Sequence, residues 1–276
     1  MARVVLLTAH TRDGEVQHRY VADRILAEFG DELQAVIVAT GVKRSAGEKA
    51  ARWLKRYSAR QIVSRLVLRL THLASGERQR RQRTFRQVLF PEGENGTMPG
   101  PVIEVAAHNS AECRALIAEL RPDAVVVYGT LVIGKKLIAA CPVIVNLHTG
   151  LSPRYRGSDT IFWPLHNGEP QHLGVTVHRI DAGIDSGPIL ARGRPAIALD
   201  DDEHTLFAKG VKLGAELLCR ATRRELEGTA RPISQTLADG HEYRSVDRTA
   251  AAERRCRRNL RQGLLAKGQD PWLEEF

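Results

Sequence analysis

The run Val143-Ile144-Val145-Asn146-Leu147-His148 closes an apolar segment with two polar side chains two residues apart. On an extended strand that spacing points both to one face, and open α/β sheets bind ligands beyond the carboxyl ends of their strands. A loop rich in Gly, Pro and Arg follows, Thr149-Gly150-Leu151-Ser152-Pro153-Arg154-Tyr155-Arg156-Gly157. Beyond an apolar run at residues 173–180 comes a second loop, Asp181-Ala182-Gly183-Ile184-Asp185-Ser186-Gly187-Pro188. An amide, an imidazole and a carboxylate suffice for acyl transfer to an amine without a covalent intermediate. The amide N–H meets the oxyanion, a contact worth about 10²–10³ in rate; the imidazole takes or relays the amine proton, and the carboxylate orients the ring or holds a water. Singly, each residue has a plainer role as cap, packed ring or turn former. The joint pattern points to chemistry.

The elements that must position these residues follow an α/β rhythm. Residues 3–8 and 33–39 are short apolar runs of the buried parallel type, separated by a helical pattern at residues 16–29. The rhythm resumes with a strand at 102–106, a helix at 110–120 capped by Ser110, and a strand at 123–128. A short helix at 135–140 leads to the strand at 143–147; further strands are expected at 173–180 and 188–191, and a long helix at 204–226. From Thr229 the pattern decays into a polar tail. Alternating βα units with Val/Ile-rich strands predict a mostly parallel, doubly wound, Rossmann-like sheet. The expected catalytic unit is 1–235, interrupted by a basic helical insert at about 43–90; residues 236–276 are an extension with no domain of their own.

The balance of 43% hydrophobic and 26% charged residues is that of a globular protein and excludes disordered and fibrous classes. The formal charge of +9 is local: residues 43–86 hold fourteen Lys/Arg against Glu48 and Glu77, leaving the rest of the chain at −3. Within this insert Ile62, Val63, Leu66, Val67, Leu70 and Leu73 follow helical spacing, with Arg60, Arg65, Arg69 and His72 elsewhere, which predicts a basic amphipathic helix over about 52–73. It reads as a solvated arm by default, as a peripheral contact with anionic lipid, or as a nucleic-acid contact; few aromatics and no nucleic-acid fold signature disfavour the last. Four dispersed cysteines without C-x-x-C spacing suggest neither disulfides nor zinc and fit a reducing compartment. With no secretory core at the N-terminus and no long apolar span, a cytoplasmic location is expected.

The residues 146–157, with Gly174-Val175-Thr176-Val177-His178 and the loop 181–188, closely resemble the folate-dependent formyltransferase family. Its members include glycinamide ribonucleotide, methionyl-tRNA and sugar N-formyltransferases. The resemblance covers residues 123–226 well, the first 40 loosely, and neither the insert nor the tail. It implies a catalytic set of Asn146, His148 and Asp185, with 10-formyltetrahydrofolate as co-substrate and no metal. Leu131, Val132, Ile133 and Gly134 then match a loop over the pterin ring, with Asp181, Ala182 and Ile184 as the opposite wall; Asp181 reads equally as a turn residue. Thr149, Gly150, Tyr155 and Arg156 fall on the acceptor side.

Departures from the family bear on the acceptor. Thr149 stands where many relatives carry Ser, and Ser152 replaces an apolar residue. Residues 9–14 supply one glycine where the glycinamide ribonucleotide enzymes carry a phosphate loop, and the 48 residues from 229 to 276 lack the strand pattern of the tRNA enzyme's barrel. The expected acceptor is therefore the primary amine of a small molecule, an amino sugar on a nucleotide among the candidates. The alternatives are a 10-formyltetrahydrofolate hydrolase, a methionyl-tRNA formyltransferase-like enzyme, or a noncatalytic nucleic-acid or membrane binding protein working through the insert. Oligomeric state is silent in the sequence.

Overall fold

The computed structural model describes residues 1–9, 15–41, 45, 47–48, 51, 57–94, 96–266 and 268–276. The glycine-poor segment at 10–14 and residues 52–56 of the expected basic helix lie outside these residues.

An eight-stranded sheet carries the molecule. Five strands run parallel: β1 (Val4–Ala9), β2 (Leu33–Ala39), β3 (Val102–Val105), β4 (Ala124–Tyr128) and β5 (Ile144–His148), in the spatial order β3-β2-β1-β4-β5. Beyond β5 lie β7 (Val175–Arg179), β8 (Ile189–Arg194) and β10 (Trp272–Glu275), each antiparallel to its inner neighbour. A small parallel pair, β6 (Tyr155–Gly157) with β9 (His241–Tyr243), stands apart. The mostly parallel expectation therefore holds, with five of the eight strands parallel and the remaining edge antiparallel. The switch to antiparallel allows β7 and β8 to be joined directly by the loop at 180–188, because antiparallel neighbours need no crossover helix.

Strands β1, β2, β4 and β5 are buried on both faces, which is why they read as continuous apolar runs. Val4, Leu6, Val126, Tyr128, Val145 and Leu147 pack on one side, and Val5, Leu7, Val125, Val127 and Ile144 on the other. The first face is covered by α1 (Glu15–Phe29) and the long helix α7 (Glu203–Leu226); the second by α4 (Ala111–Leu120) and α5 (Lys135–Ile138). The Ser110 side chain accepts from the Cys113 N–H and caps α4, as its position predicts.

The insert divides into two unlike helices, α2 (Ala59–Ala74) and α3 (Glu77–Leu89). The reading of a solvated arm is corrected for α3, which sends Phe85 and Leu89 into the main core. Phe85 stacks on Phe207 of α7 at 5.3 Å, and His204 Nε2 lies 2.6 Å from Glu77 Oε1. No residue of α2 is buried.

The tail is likewise more ordered than its polar composition predicts. Helix α8 (Ala250–Arg261) packs Ala252 and Cys256 against Phe162, Trp163 and Leu165 of α6 (Phe162–Asn167), and β10 continues the main sheet. Arg248 holds the junction, contacting Asp159, Glu203 and Glu253 at 2.7–2.9 Å with its guanidinium 4.1 Å from the Phe162 ring centre. Burial works against its charge, but the three carboxylates outweigh that and raise its pKa. The strands and helix of the tail are short and are held by partners distant in sequence, so they leave no local periodicity to read.

Candidate active site

Strand β5 places Asn146 and His148 on one face at its carboxyl end, as alternation requires. Asp185 is brought to them by the β7–β8 loop, where it takes a left-handed backbone conformation with φ 47°. The Gln235 side chain donates to the carbonyls of Asp185 and Gly187 and latches this loop. The His148 Nε2 donates to the Tyr155 carbonyl at 2.9 Å, which turns Nδ1 toward Asp185 Oδ2 at 3.3 Å. With Nε2 committed to the carbonyl, Nδ1 is the ring atom that faces Asp185.

The antiparallel register sets His178 directly opposite Asn146. The His178 Nδ1 donates to the Arg179 carbonyl at 2.8 Å, leaving Nε2 3.0 Å from the Asn146 amide nitrogen and 3.4 Å from Asp185 Oδ1. With a lone pair on Nε2, one amide hydrogen of Asn146 is used by His178 and the other remains for the cavity.

Burial would raise the Asp185 pKa, but the His148 charge and the Gly157 N–H at 2.8 Å together hold it well below the usual carboxylate range. The side chain is 16% exposed and remains an ionised acceptor. Gly150 packs beneath the imidazole: a Cβ there would lie 2.6 Å from His148 Nε2 and from the Thr160 Cβ.

Asn146, His148, His178 and Asp185 open into a cavity of about 1020 Å³. One wall is Leu131, Val132 and Ile133; the side chains of Leu131 and Val132 are 86% and 64% exposed, while Ile133 anchors the loop in the core. The other wall includes Asp181, Gly183 and Ile184. Asp181 Oδ1 accepts from the Gly183 N–H at 2.9 Å and from Ser186 Oγ at 2.7 Å, so it shapes the turn as well as lining it.

Several residues expected at ligand are outside the cavity lining. Gly134 caps α5 and donates its N–H to Asn109 Oδ1 at 2.7 Å, and Ala182 is outside the lining. The Tyr155 side chain is in the core, donating to Glu169 at 2.7 Å and stacking on Tyr243 at 5.6 Å; its contribution to the site is the carbonyl that orients His148. Arg156 donates to the Ile184 carbonyl at 3.3 Å and braces the loop of Asp185. Thr149 lines the cavity and Gly150 does not.

Sequence reasoning missed His178, which alternation within Val175–Arg179 put on the right face but only the register with β5 assigns to Asn146. It also missed His18 on α1 and the segment Glu242–Asp247 of the tail, all part of the cavity wall. The Thr8 hydroxyl donates to the Tyr128 carbonyl at 3.0 Å, so His18 Nδ1, 2.6 Å away, donates to that hydroxyl. No local signal marked these residues.

A second cavity of about 680 Å³ adjoins the first, sharing Thr149, Phe207 and Ser245. It runs between α2, α3 and α7, and Arg65, Arg69, Arg78, Arg81 and Arg248 line it together with Glu77, Asp159 and Glu203. All four cysteine thiols are pushed up by burial, Cys113 and Cys141 to about 11, Cys219 and Cys256 to about 12. None of them lines either cavity.

An amide–imidazole–carboxylate cluster thus stands at the carboxyl edge of a Rossmann-like α/β sheet. The chain belongs to the formyl transferase family, whose model matches residues 45–222. The methionyl-tRNA formyltransferase of Anaeromyxobacter dehalogenans (strain 2CP-1) is 31% identical over 179 residues, 64% of this chain and 57% of that protein. The chain thus spans little more than half of that relative. Among solved structures, a sugar N-formyltransferase from a Shewanella species aligns with a TM-score of 0.56 at 14% identity, over 93% of this chain and 87% of the other. An N-formyltransferase from Helicobacter canadensis, in complex with folinic acid and dTDP-3-aminofucose, aligns at TM-score 0.53 and 17% identity over 90% and 73%. At these identities the likeness shows the fold.

Proposed function

We propose that the protein transfers a formyl group from 10-formyltetrahydrofolate to the primary amine of a small-molecule acceptor, an amino sugar carried on a nucleotide. The observation that carries this reading is the convergence of Asn146, His148, His178 and Asp185 on one cavity with an exposed apolar lip. The exposed side chains of Leu131 and Val132 fit a flat ring lying over them, and the backbone of 181–184 offers edge contacts on the far side. The folate supplies the activated formyl group.

In the reaction the amine nitrogen bonds to the formyl carbon, the bond from that carbon to the folate nitrogen breaks, and the amine proton ends on the folate nitrogen. Asn146, held by His178, presents its free amide hydrogen where charge develops on the formyl oxygen. The Nδ1 face of His148 supplies positive charge beside it, held in place by the Tyr155 carbonyl. Asp185, ionised and lightly exposed, accepts the amine proton through a water and returns it to the leaving nitrogen. The arginine-lined second cavity continues from the first at Thr149 and suits the phosphates of a nucleotide.

Incubation with 10-formyltetrahydrofolate and a panel of amino-sugar nucleotides, read by mass spectrometry, should give a formylated product. Release of formate and tetrahydrofolate with every amine left unmodified would replace the transferase by a hydrolase. Product formation with methionyl-tRNA alone would replace the small-molecule acceptor.

A further inference from the structure

Helix α2 is inside out. In a surface helix of a folded domain the apolar stripe normally faces the core. Here Val63, Leu66, Val67 and Leu70, at i, i+3, i+4 and i+7, are 59%, 46%, 46% and 64% exposed, and Leu73 extends the stripe at 68%. The side toward the body is mixed, with Ile62 and Leu68 half-buried among polar groups: Arg65 donates to the Ser245 carbonyl at 3.5 Å, His72 Nε2 lies 3.5 Å from Glu253 Oε1, and Gln61 lines the catalytic cavity. A reciprocal capping box between Ser58 and Gln61 fixes the start of the helix. At 3.6 residues per turn, Arg60 and Arg69 fall on the two margins of the apolar stripe.

We propose that α2 lies in the surface of an anionic bilayer, with Val63, Leu66, Val67 and Leu70 seated among the acyl chains and the marginal arginines at the headgroups. Charge selects this occupant. The segment 43–86 carries fourteen Lys/Arg against two Glu, and such a segment is drawn to anionic lipid. A second copy meeting the same face about a two-fold axis would bring two of these segments together, and like charges oppose that contact. No described helix is long and apolar enough to cross a membrane, so the contact is with one leaflet. Docking in this way sets the mouth of the catalytic cavity, bordered by Gln61, close to the lipid surface. The inference is independent of the identity of the acceptor.

Flotation of the full chain with vesicles tests it. The protein should rise with phosphatidylcholine–phosphatidylglycerol vesicles, remain below with phosphatidylcholine alone, and lose binding as salt is added. The double variant Leu66→Asp/Leu70→Asp should bind the anionic vesicles about ten-fold or more weakly, with an unchanged melting temperature. A Leu70→Trp variant should show blue-shifted emission, quenched by brominated lipid, only in the presence of anionic vesicles. Absence of vesicle binding, equal binding to neutral vesicles, or unaltered binding by the double variant would each overturn the proposal. So would a concentration-dependent dimer that the double variant dissociates.

Discussion

Asn146, His148, His178 and Asp185 are polar side chains drawn out of water at the β5–β7 corner, whereas Val63, Leu66, Val67 and Leu70 are apolar side chains left in it on α2. At the corner each desolvated group is matched: a carbonyl to a ring nitrogen, an amide to an imidazole, a carboxylate to His148 and a backbone N–H. On α2 no described residue covers the stripe. A matched polar cluster is complete within the fold and awaits only its reactants, while an uncovered apolar face calls for a second phase. The two regions nevertheless meet, since the inner face of α2 contributes to both cavities.

The comparison can be broken most severely at the corner. Asn146→Ala and Asp185→Ala should each lower turnover about 10²–10³-fold with the fold intact by circular dichroism; near-native turnover in either would remove the assigned roles. A smaller effect, on stability, is expected at the junction that brings the tail to the cavity. Arg248→Met leaves Glu203 and Glu253 without their shared cation and should cost about 3 kcal/mol, read from denaturant unfolding. Gly150→Ala tests the packing under His148 and should cost about 1–3 kcal/mol, with activity falling further than stability because the ring is displaced.

Acid titration separates the regions again. The folded pKa of Asp185 lies below its ordinary value of 3.8, so its stabilising contribution is fully present above that value and is lost as pH falls below it. Wild-type melting temperature should therefore drop more steeply with acid than that of Asp185→Asn, and parallel curves would deny the charge coupling to His148. The smallest effect belongs to α2, where Leu66→Asp/Leu70→Asp should change stability by no more than about 0.5 kcal/mol in solution. A large loss would mean that the stripe is packed.

The sequence by itself determined the local elements and the side chains on them. Continuous apolar runs marked β1, β2, β4 and β5 because both faces of these strands are buried, Ser110 marked the start of α4, and alternation put Asn146 and His148 on one face. The spaced motif through Asp185 also led to the family that the matched residues 45–222 bear out. Tertiary structure decided what depends on partners far apart in the chain. The pairing of Asn146 with His178 follows from strand register, and the inward turn of the Tyr155 side chain from its stacking on Tyr243. The wall at 242–247 comes from a tail held by one arginine and three carboxylates, and the split of the insert from Phe85 finding Phe207. Helical periodicity showed that α2 has an apolar face, but which way that face points depends on the polar groups awaiting it on α8 and β9's flank, and these enter only when the chain has folded.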